Sequence, residues 1–125
     1  MTVPKKILTR KDAITADFIK LYEAHLADLF AGRVHYRMST SKYAEKLFIN
    51  HGHLTNTIKL TTGKSPCDFM EQGILAEAER LLTETDLSIA EIGMRFAYDE
   101  PTNFTKFFKG MTGKTPLQFR KSSRH

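Results

Sequence analysis

An internal repeat of about fifty residues constrains this chain more than any other feature. TGKSPCDF at 62–69 returns as TGKTPLQF at 112–119. Leu54-Thr55 matches Phe104-Thr105, and Ile58-Lys59 matches Phe108-Lys109. Farther back, Tyr43-Ala44 matches Ile92-Gly93 once one extra residue is allowed in the second copy's turn. Each copy reads as a short helix, a tight turn and a second helix. A small residue in the first helix, Ala44 or Gly93, lets the second approach closely, which is the packing requirement of a helix-turn-helix.

The remaining punctuation predicts an all-α fold of about seven helices. Ile14, Phe18, Leu21, His25 and Leu29 recur at three- and four-residue steps, with Tyr22, Leu26 and Phe30 beside them. That spacing predicts a first helix over 14–31, closed by Gly32. A second runs from Ser39 or Thr40 to Phe48, with Tyr43, Ala44 and Leu47 inward. Asn50 caps a third that reaches Thr62 and ends at Gly63, with Leu54, Thr57 and Ile58 inward.

Ser65-Pro66 opens a fourth helix, because proline at the first helical position gives up no hydrogen bond. Phe69, Met70, Ile74, Leu75, Ala78, Leu81 and Leu82 carry it to about Glu84 across Gly73. Ser88 and Glu91 form a capping box for a fifth helix, with Ile89, Ile92 and Phe96 inward. Asp99 is expected to cap a sixth over 100–112, whose apolar face is Phe104, Phe107 or Phe108, and Met111. Thr115 and Gln118 form another capping box for a short seventh helix through Arg120. The expected organisation is an N-terminal extension with the first helix (1–35), a first helix-turn-helix (36–65), a long connecting helix (66–86), and a second helix-turn-helix with a C-terminal helix (87–125).

Charge is distributed unevenly. The net charge is +5. Residues 71–100 hold eight acids and two bases, whereas 101–125 hold six bases and no acid. The polarity suggests a surface of which one side can face phosphates; a solvated basic tail is the plainer alternative. No apolar run is long enough for a membrane span, and MTVPKKILTRKD has no secretory apolar core, so a cytoplasmic location is expected. One cysteine, Cys67, forms no disulfide framework and reads as structural.

The helix-turn-helix reading singles out the outward positions of the third and sixth helices. These are His51, Gly52, His53, Thr55, Asn56 and Lys59 in the first copy, and Thr102, Asn103, Thr105, Lys106 and Lys109 in the second. Asn suits an adenine edge, Lys a guanine edge or a phosphate, and Thr a phosphate or thymine methyl. Two recognition helices separated by about one DNA turn, roughly 34 Å, would enter successive major-groove segments without a dimer. His51 and His53 make a poor metal pair, because residues two apart point about 200° apart around a helix. GKS at 63–65 and GKT at 113–115 lack the earlier glycine of a phosphate-binding loop, where Ile58 and Phe108 stand. No nucleophile–base–acid set is present, so neither an enzyme nor a cofactor is expected.

From about Met38 to Arg120 the chain resembles the DNA-binding domain of the AraC/XylS family of bacterial transcription regulators. YAEKLFINHGHLTNTIKLTTGKSP (43–66) is similar to its first helix-turn-helix, and LLTETDLSIAEIGMRFAYDEPTNFTKFFKGMTGKTPLQFR (81–120) to its signature segment. The run DEPTNFTKFFK (99–109) is most similar to members from the Bacteroidetes. The resemblance implies seven helices, promoter binding and activation through RNA polymerase. It places base-reading positions on Gly52, Thr55 and Asn56, and on Thr102, Asn103 and Lys106. Three residues depart from the family pattern: Gly73 for Arg, Gly93 for Ala, and Ala97 for a turn glycine. If Ala97 is left-handed, it is strained by roughly 1 kcal/mol.

The effector or dimerisation domain common in the family is absent from this sequence, so a monomer or weak dimer is expected, or the C-terminal piece of a longer regulator. The function expected is sequence-specific duplex binding in transcription regulation, as an activator. A protein-interaction module built on the first helix and a nonspecific nucleic-acid binder remain the alternatives.

Overall fold

The computed structural model describes residues 9–124. Met1–Leu8, and with them the reading that the N-terminus lacks a secretory core, lie outside the described residues, as does His125. Among the described residues there are seven helices and no strand. They are α1 (Arg10–Phe30), α2 (Thr40–Lys46), α3 (His51–Thr62), α4 (Pro66–Glu84), α5 (Ile89–Arg95), α6 (Pro101–Thr112) and α7 (Pro116–Ser123). The chain divides into two units. The first takes the described residues up to His25 together with Met38–Met70; the second takes Leu26–Arg37 and the described residues from Glu71 onward.

In the first unit α2 and α3 pack against the N-terminal part of α1. Phe18 is fully buried and meets Tyr43 edge-on at 5.2 Å and Phe69 at 5.7 Å between ring centroids. Leu54 and Ile58 of α3 are also fully buried, as is nearly all of Thr57. Two polar side chains are satisfied in this core. The Tyr43 hydroxyl reaches Met70 Sδ at 3.1 Å, and His25 Nε2 accepts the Met38 N–H at 3.0 Å.

The second unit is built on a chain of aromatic rings. Phe30 meets Phe96, Phe96 meets Phe104, Phe104 meets Phe108 and Phe108 meets Phe119, with centroids 5.4–6.1 Å apart. Of the predicted apolar face of α6, Phe104 and Phe108 are fully buried, Phe107 is half-buried and Met111 is exposed. Gly93 explains the close approach of α5 to α6. A Cβ placed on it would lie 3.0 Å from Cβ of Phe104, tighter than ordinary van der Waals contact.

The repeat is preserved down to its hydrogen bonds. α3 and α6 both end on a left-handed glycine, Gly63 (φ 80°) and Gly113 (φ 81°). Thr62 Oγ1 bonds back to the Ile58 carbonyl and accepts the Lys64 N–H; Thr112 does the same with Phe108 and Lys114. Ser65 and Asp68 then cap α4 reciprocally at 3.1 and 2.9 Å, as Thr115 and Gln118 cap α7. The hydrogen bonds from the Ser65 backbone and side chain hold the Asp68 carboxyl below the usual carboxylate range, with smaller help from Lys59 and Lys64.

Four expected boundaries move. α1 begins four residues before the predicted start, because Thr9 and Asp12 form a capping box ahead of the apolar stripe. α2 stops at Lys46 rather than Phe48: Phe48 is left-handed (φ 59°), which reverses the chain so that the Ile49 N–H bonds the Ala44 carbonyl. Asp99 is not the cap of α6. Glu100 occupies that position, extended and without a side-chain cap bond, because Pro101 takes the first helical position and disfavours helical geometry in the residue before it. α7 runs past Arg120 to Ser123.

The two helix-turn-helix turns share one design. Phe48 and Ala97 (φ 64°) are left-handed at equivalent places, and Tyr98 N–H returns to the Gly93 carbonyl as Ile49 N–H returns to Ala44. The second turn has an extra brace. Arg37 donates to the Phe96 carbonyl at 2.7 Å and lies 3.8 Å over the Tyr98 ring.

Two stability changes are expected in chemical denaturation. Ala97→Gly relieves the left-handed strain and raises unfolding free energy by about 0.5–1 kcal/mol. Arg37→Ala lowers it by about 1–2 kcal/mol, through loss of a charged hydrogen bond and a partly solvated cation–π contact.

Candidate nucleic-acid interface

α3 and α6 each place an apolar stripe in the core of their own unit and leave the opposite stripe to solvent. In α3 the buried residues are Leu54, Thr57 and Ile58. His51, Gly52, His53, Asn56 and Lys59 are exposed and Thr55 is half-buried. In α6 Phe104 and Phe108 are buried, Thr102, Asn103, Lys106 and Lys109 are exposed, and Thr105 is half-buried. The eleven residues singled out from the sequence therefore fall on two surfaces, one in each unit. Thr55 and Thr105 sit at the edges of their stripes, each half-buried.

At 100° per residue, Gly52, Asn56 and Lys59 form the centre line of the exposed face of α3. Thr102, Lys106 and Lys109 form the corresponding line on α6. Gly52 is not required by the fold: its φ is not left-handed, and an added Cβ would meet only Asn50 Oδ1, at an ordinary 3.6 Å. A residue without a side chain here lets another molecule approach the first turn of α3 at backbone distance. That turn starts from a firm cap, since Asn50 Oδ1 accepts the His53 N–H at 2.7 Å.

The electrostatics of the two faces are simple. Neither helix has an acid in its first turn. Lys59, Lys106 and Lys109 enter none of the ion pairs among the described residues. The acids of α4 are partly neutralised on their own helix: Arg80 bridges Glu77 at 2.7 Å and Glu84 at 3.3 Å. Those two carboxylates, Glu77 above all, hold the Arg80 guanidinium more firmly protonated than usual.

The basic C-terminal stretch is less free than its sequence suggests. Arg120 donates to the carbonyls of Leu82 at 2.9 Å and Thr85 at 3.2 Å. Arg124 bonds the Thr85 carbonyl and pairs with Asp86. Both therefore terminate α4 by satisfying its last carbonyls, a role invisible without the fold. Exposed Leu60 on α3 was also not singled out; an isolated apolar residue in a polar stripe gave no signal.

Among the described residues no cluster of three His, Cys, Asp or Glu is placed to hold a metal ion, and Cys67 is exposed rather than buried as its structural reading implied. No helix of the described residues is long and apolar enough to cross a membrane.

A family profile described as "Helix-turn-helix domain" matches residues 43–122. The chain is 26% identical over 99 residues to the HTH-type transcriptional activator RhaR of Enterobacter sp. (strain 638), covering 79% of this chain and 35% of that protein. It spans about a third of the length of the curated relatives it matches. Among solved structures, the C-terminal domain of AraT, a response regulator from Geobacillus stearothermophilus, superposes with a TM-score of 0.77 at 25% identity over 91% of this chain and 88% of that one. The DNA-binding domain of AdpA, a global transcriptional factor solved with a target DNA, has the same fold. Its TM-score is 0.72 at 20% identity, over 88% of this chain and 92% of that one. With a matching profile across both copies of the repeat and seven helices in the expected order, this chain belongs to the AraC-type helix-turn-helix family of DNA-binding domains.

Proposed function

We propose that the chain is a sequence-specific, double-stranded DNA-binding transcription regulator that inserts α3 and α6 into successive major-groove segments. One observation carries this reading. At equivalent places in a duplicated fold, two twelve-residue helices expose acid-free faces of Asn, Thr and Lys while burying the opposite side. The named functions of relatives support it: RhaR is a transcriptional activator, and AdpA's domain was solved with a target DNA.

Each side chain then has a chemical role. Asn56 offers the paired donor and acceptor that suit adenine, Lys106 suits a guanine edge, and Asn103, on the flank of α6, donates to a phosphate. Lys59, Lys109, Thr55 and Thr105 hold phosphates and fix the register. Two readers in one chain remove the need for a dyad, so the protein binds its site as a monomer. Contact with RNA polymerase converts occupancy into activation, without catalysis and without a cofactor, in the cytoplasm.

Selection of sites from a random duplex library tests the proposal. The expected product is an asymmetric site of roughly 20 bp whose footprint shows two protected major-groove segments about 10 bp apart. A single protected segment, or equal affinity for selected and random duplexes, defeats it.

Two further outcomes follow. Lys106→Ala is expected to weaken binding by about 1–3 kcal/mol and to relax preference at one base step. Raising salt from about 50 to 200 mM is expected to weaken wild-type binding by orders of magnitude, with a shallower slope after loss of a phosphate contact such as Lys109. Unchanged affinity and preference in Lys106→Ala remove that residue from the reading surface.

A further inference from the structure

We infer that His51 and His53 form a two-sided, proton-dependent phosphate clamp on α3, which makes occupancy of the first unit's half-site tighten as pH falls. The inference rests on the duplex-binding reading above and adds a regulation that the reading does not contain.

The argument begins with helical geometry. Gly52 lies on the centre line of the exposed face with Asn56 and Lys59, so His51 and His53 stand about 100° to either side of that line. This divergence makes the two rings unsuitable for a shared metal ion, but it suits a groove. A helix about 10–12 Å across fills a major groove about 12 Å wide, so its flanks face the two sugar–phosphate walls. Gly52 between the rings brings the first turn close to the base pairs, and each imidazole then lies beside a wall.

Both rings are exposed. The first turn of α3 holds no acid, and Lys59 is the helix's single ionisable group besides the histidines. The elements packed against α3 bring few anions near the two rings. α2 carries Lys42, Glu45 and Lys46, of which Lys42 and Glu45 pair with each other at 3.4 Å. α1, joined to α3 by the Thr15–Thr61 hydrogen bond, carries Arg10, Lys11, Asp12, Asp17, Lys20, Tyr22 and Glu23, then His25, which is buried and accepts the Met38 N–H, and Asp28, which pairs with Arg33. The start of α4 carries Asp68, which is engaged with Ser65. None of these forms an ion pair with either ring. The phosphates are therefore the anions that the imidazoles meet on binding.

Histidine changes charge between about pH 5 and 8. A neutral imidazole offers one N–H to a phosphate oxygen, whereas an imidazolium offers a full charge and a charge-assisted bond. Binding to an anionic wall favours the protonated form, so protons are taken up on association. The added affinity is present at low pH and fades as pH rises. The second unit has no counterpart, because Pro101 and Asn103 occupy the matching positions and do not titrate. The proton dependence is thus confined to one half of the site.

The test uses the whole chain and its selected duplex at constant ionic strength, with affinity and hydroxyl-radical footprint measured between about pH 8 and about pH 6. Wild type is expected to tighten by roughly five-fold for each imidazole over this range, with stronger protection in the segment covered by α3. His51→Gln/His53→Gln is expected to lose the pH response, whatever its affinity at pH 8. Each single variant should lose about half of the logarithmic change. His35→Gln should keep it. Circular dichroism and thermal melting at both pH values confirm that the variants are folded.

A flat wild-type profile overturns the inference. So does a response that survives the double substitution, or one that appears equally in both protected segments. Failure to bind any selected duplex at either pH instead overturns the duplex-binding reading itself, and the two failures are therefore distinguishable.

Discussion

Each helix-turn-helix depends on a single backbone hydrogen bond that returns across its turn, from Ile49 N–H to the Ala44 carbonyl and from Tyr98 N–H to the Gly93 carbonyl. The bond forms only when the residue before the donor is left-handed. This chain accepts that conformation at Phe48 and Ala97 rather than supplying glycine. The strain is local and of order 1 kcal/mol per residue. It is offset by what the reversal permits: Leu54 and Ile58 bury completely in one unit, and Phe104 and Phe108 in the other. Once those stripes are buried, the exposed stripes of α3 and α6 have no freedom of orientation within their units.

The two copies reach the same geometry by different means. Ala44 and Gly93 occupy the same position, but Gly93 faces Phe104, where a Cβ would already be crowded at 3.0 Å. The second copy has the Phe104 ring where the first has Leu54, and glycine in place of alanine leaves room for it. Its turn is also the longer by one residue, and Arg37 braces it through the Phe96 carbonyl and the Tyr98 face. The first copy has Asn50 as a side-chain cap, whereas the second starts α6 from Pro101 without one. Duplication preserved the fold, and the divergence concentrated at the starts of the two reading helices.

That pattern explains what could be read from the sequence. Signals that act within four residues were legible. The Ser88–Glu91 and Thr115–Gln118 boxes, Asn50 as a cap, Gly63 and Gly113 as helix stops, and proline at the start of α4 and α7 all have local causes. The repeat turned those local signals into a fold, and the exposed residues of α3 and α6 followed from helical spacing. The residues that were missed answer to partners far along the chain. Arg37 acts on a turn about sixty residues away, and Arg120 of α7 and Arg124 just after it close the end of α4. Phe48 and Asp99 failed differently. An apolar residue after an apolar stripe reads as one more helical position, and an acid near a helix start reads as a cap. In both cases the local rule was overridden by a neighbour, the left-handed return to Ala44 in one and Pro101 in the other.

The consequence for charge is that composition alone misplaces the binding surface. The C-terminal stretch is the most basic part of the chain, yet two of its arginines are spent on α4 carbonyls and Asp86. The cations without ion-pair partners on the exposed stripes, Lys59, Lys106 and Lys109, come from three separate turns of two helices. A surface assembled in this way binds an anion along a defined line rather than as a diffuse patch, because each lysine is held in register by the buried residue behind it. The charge that matters for recognition is therefore the charge that folding leaves unpaired on a fixed stripe.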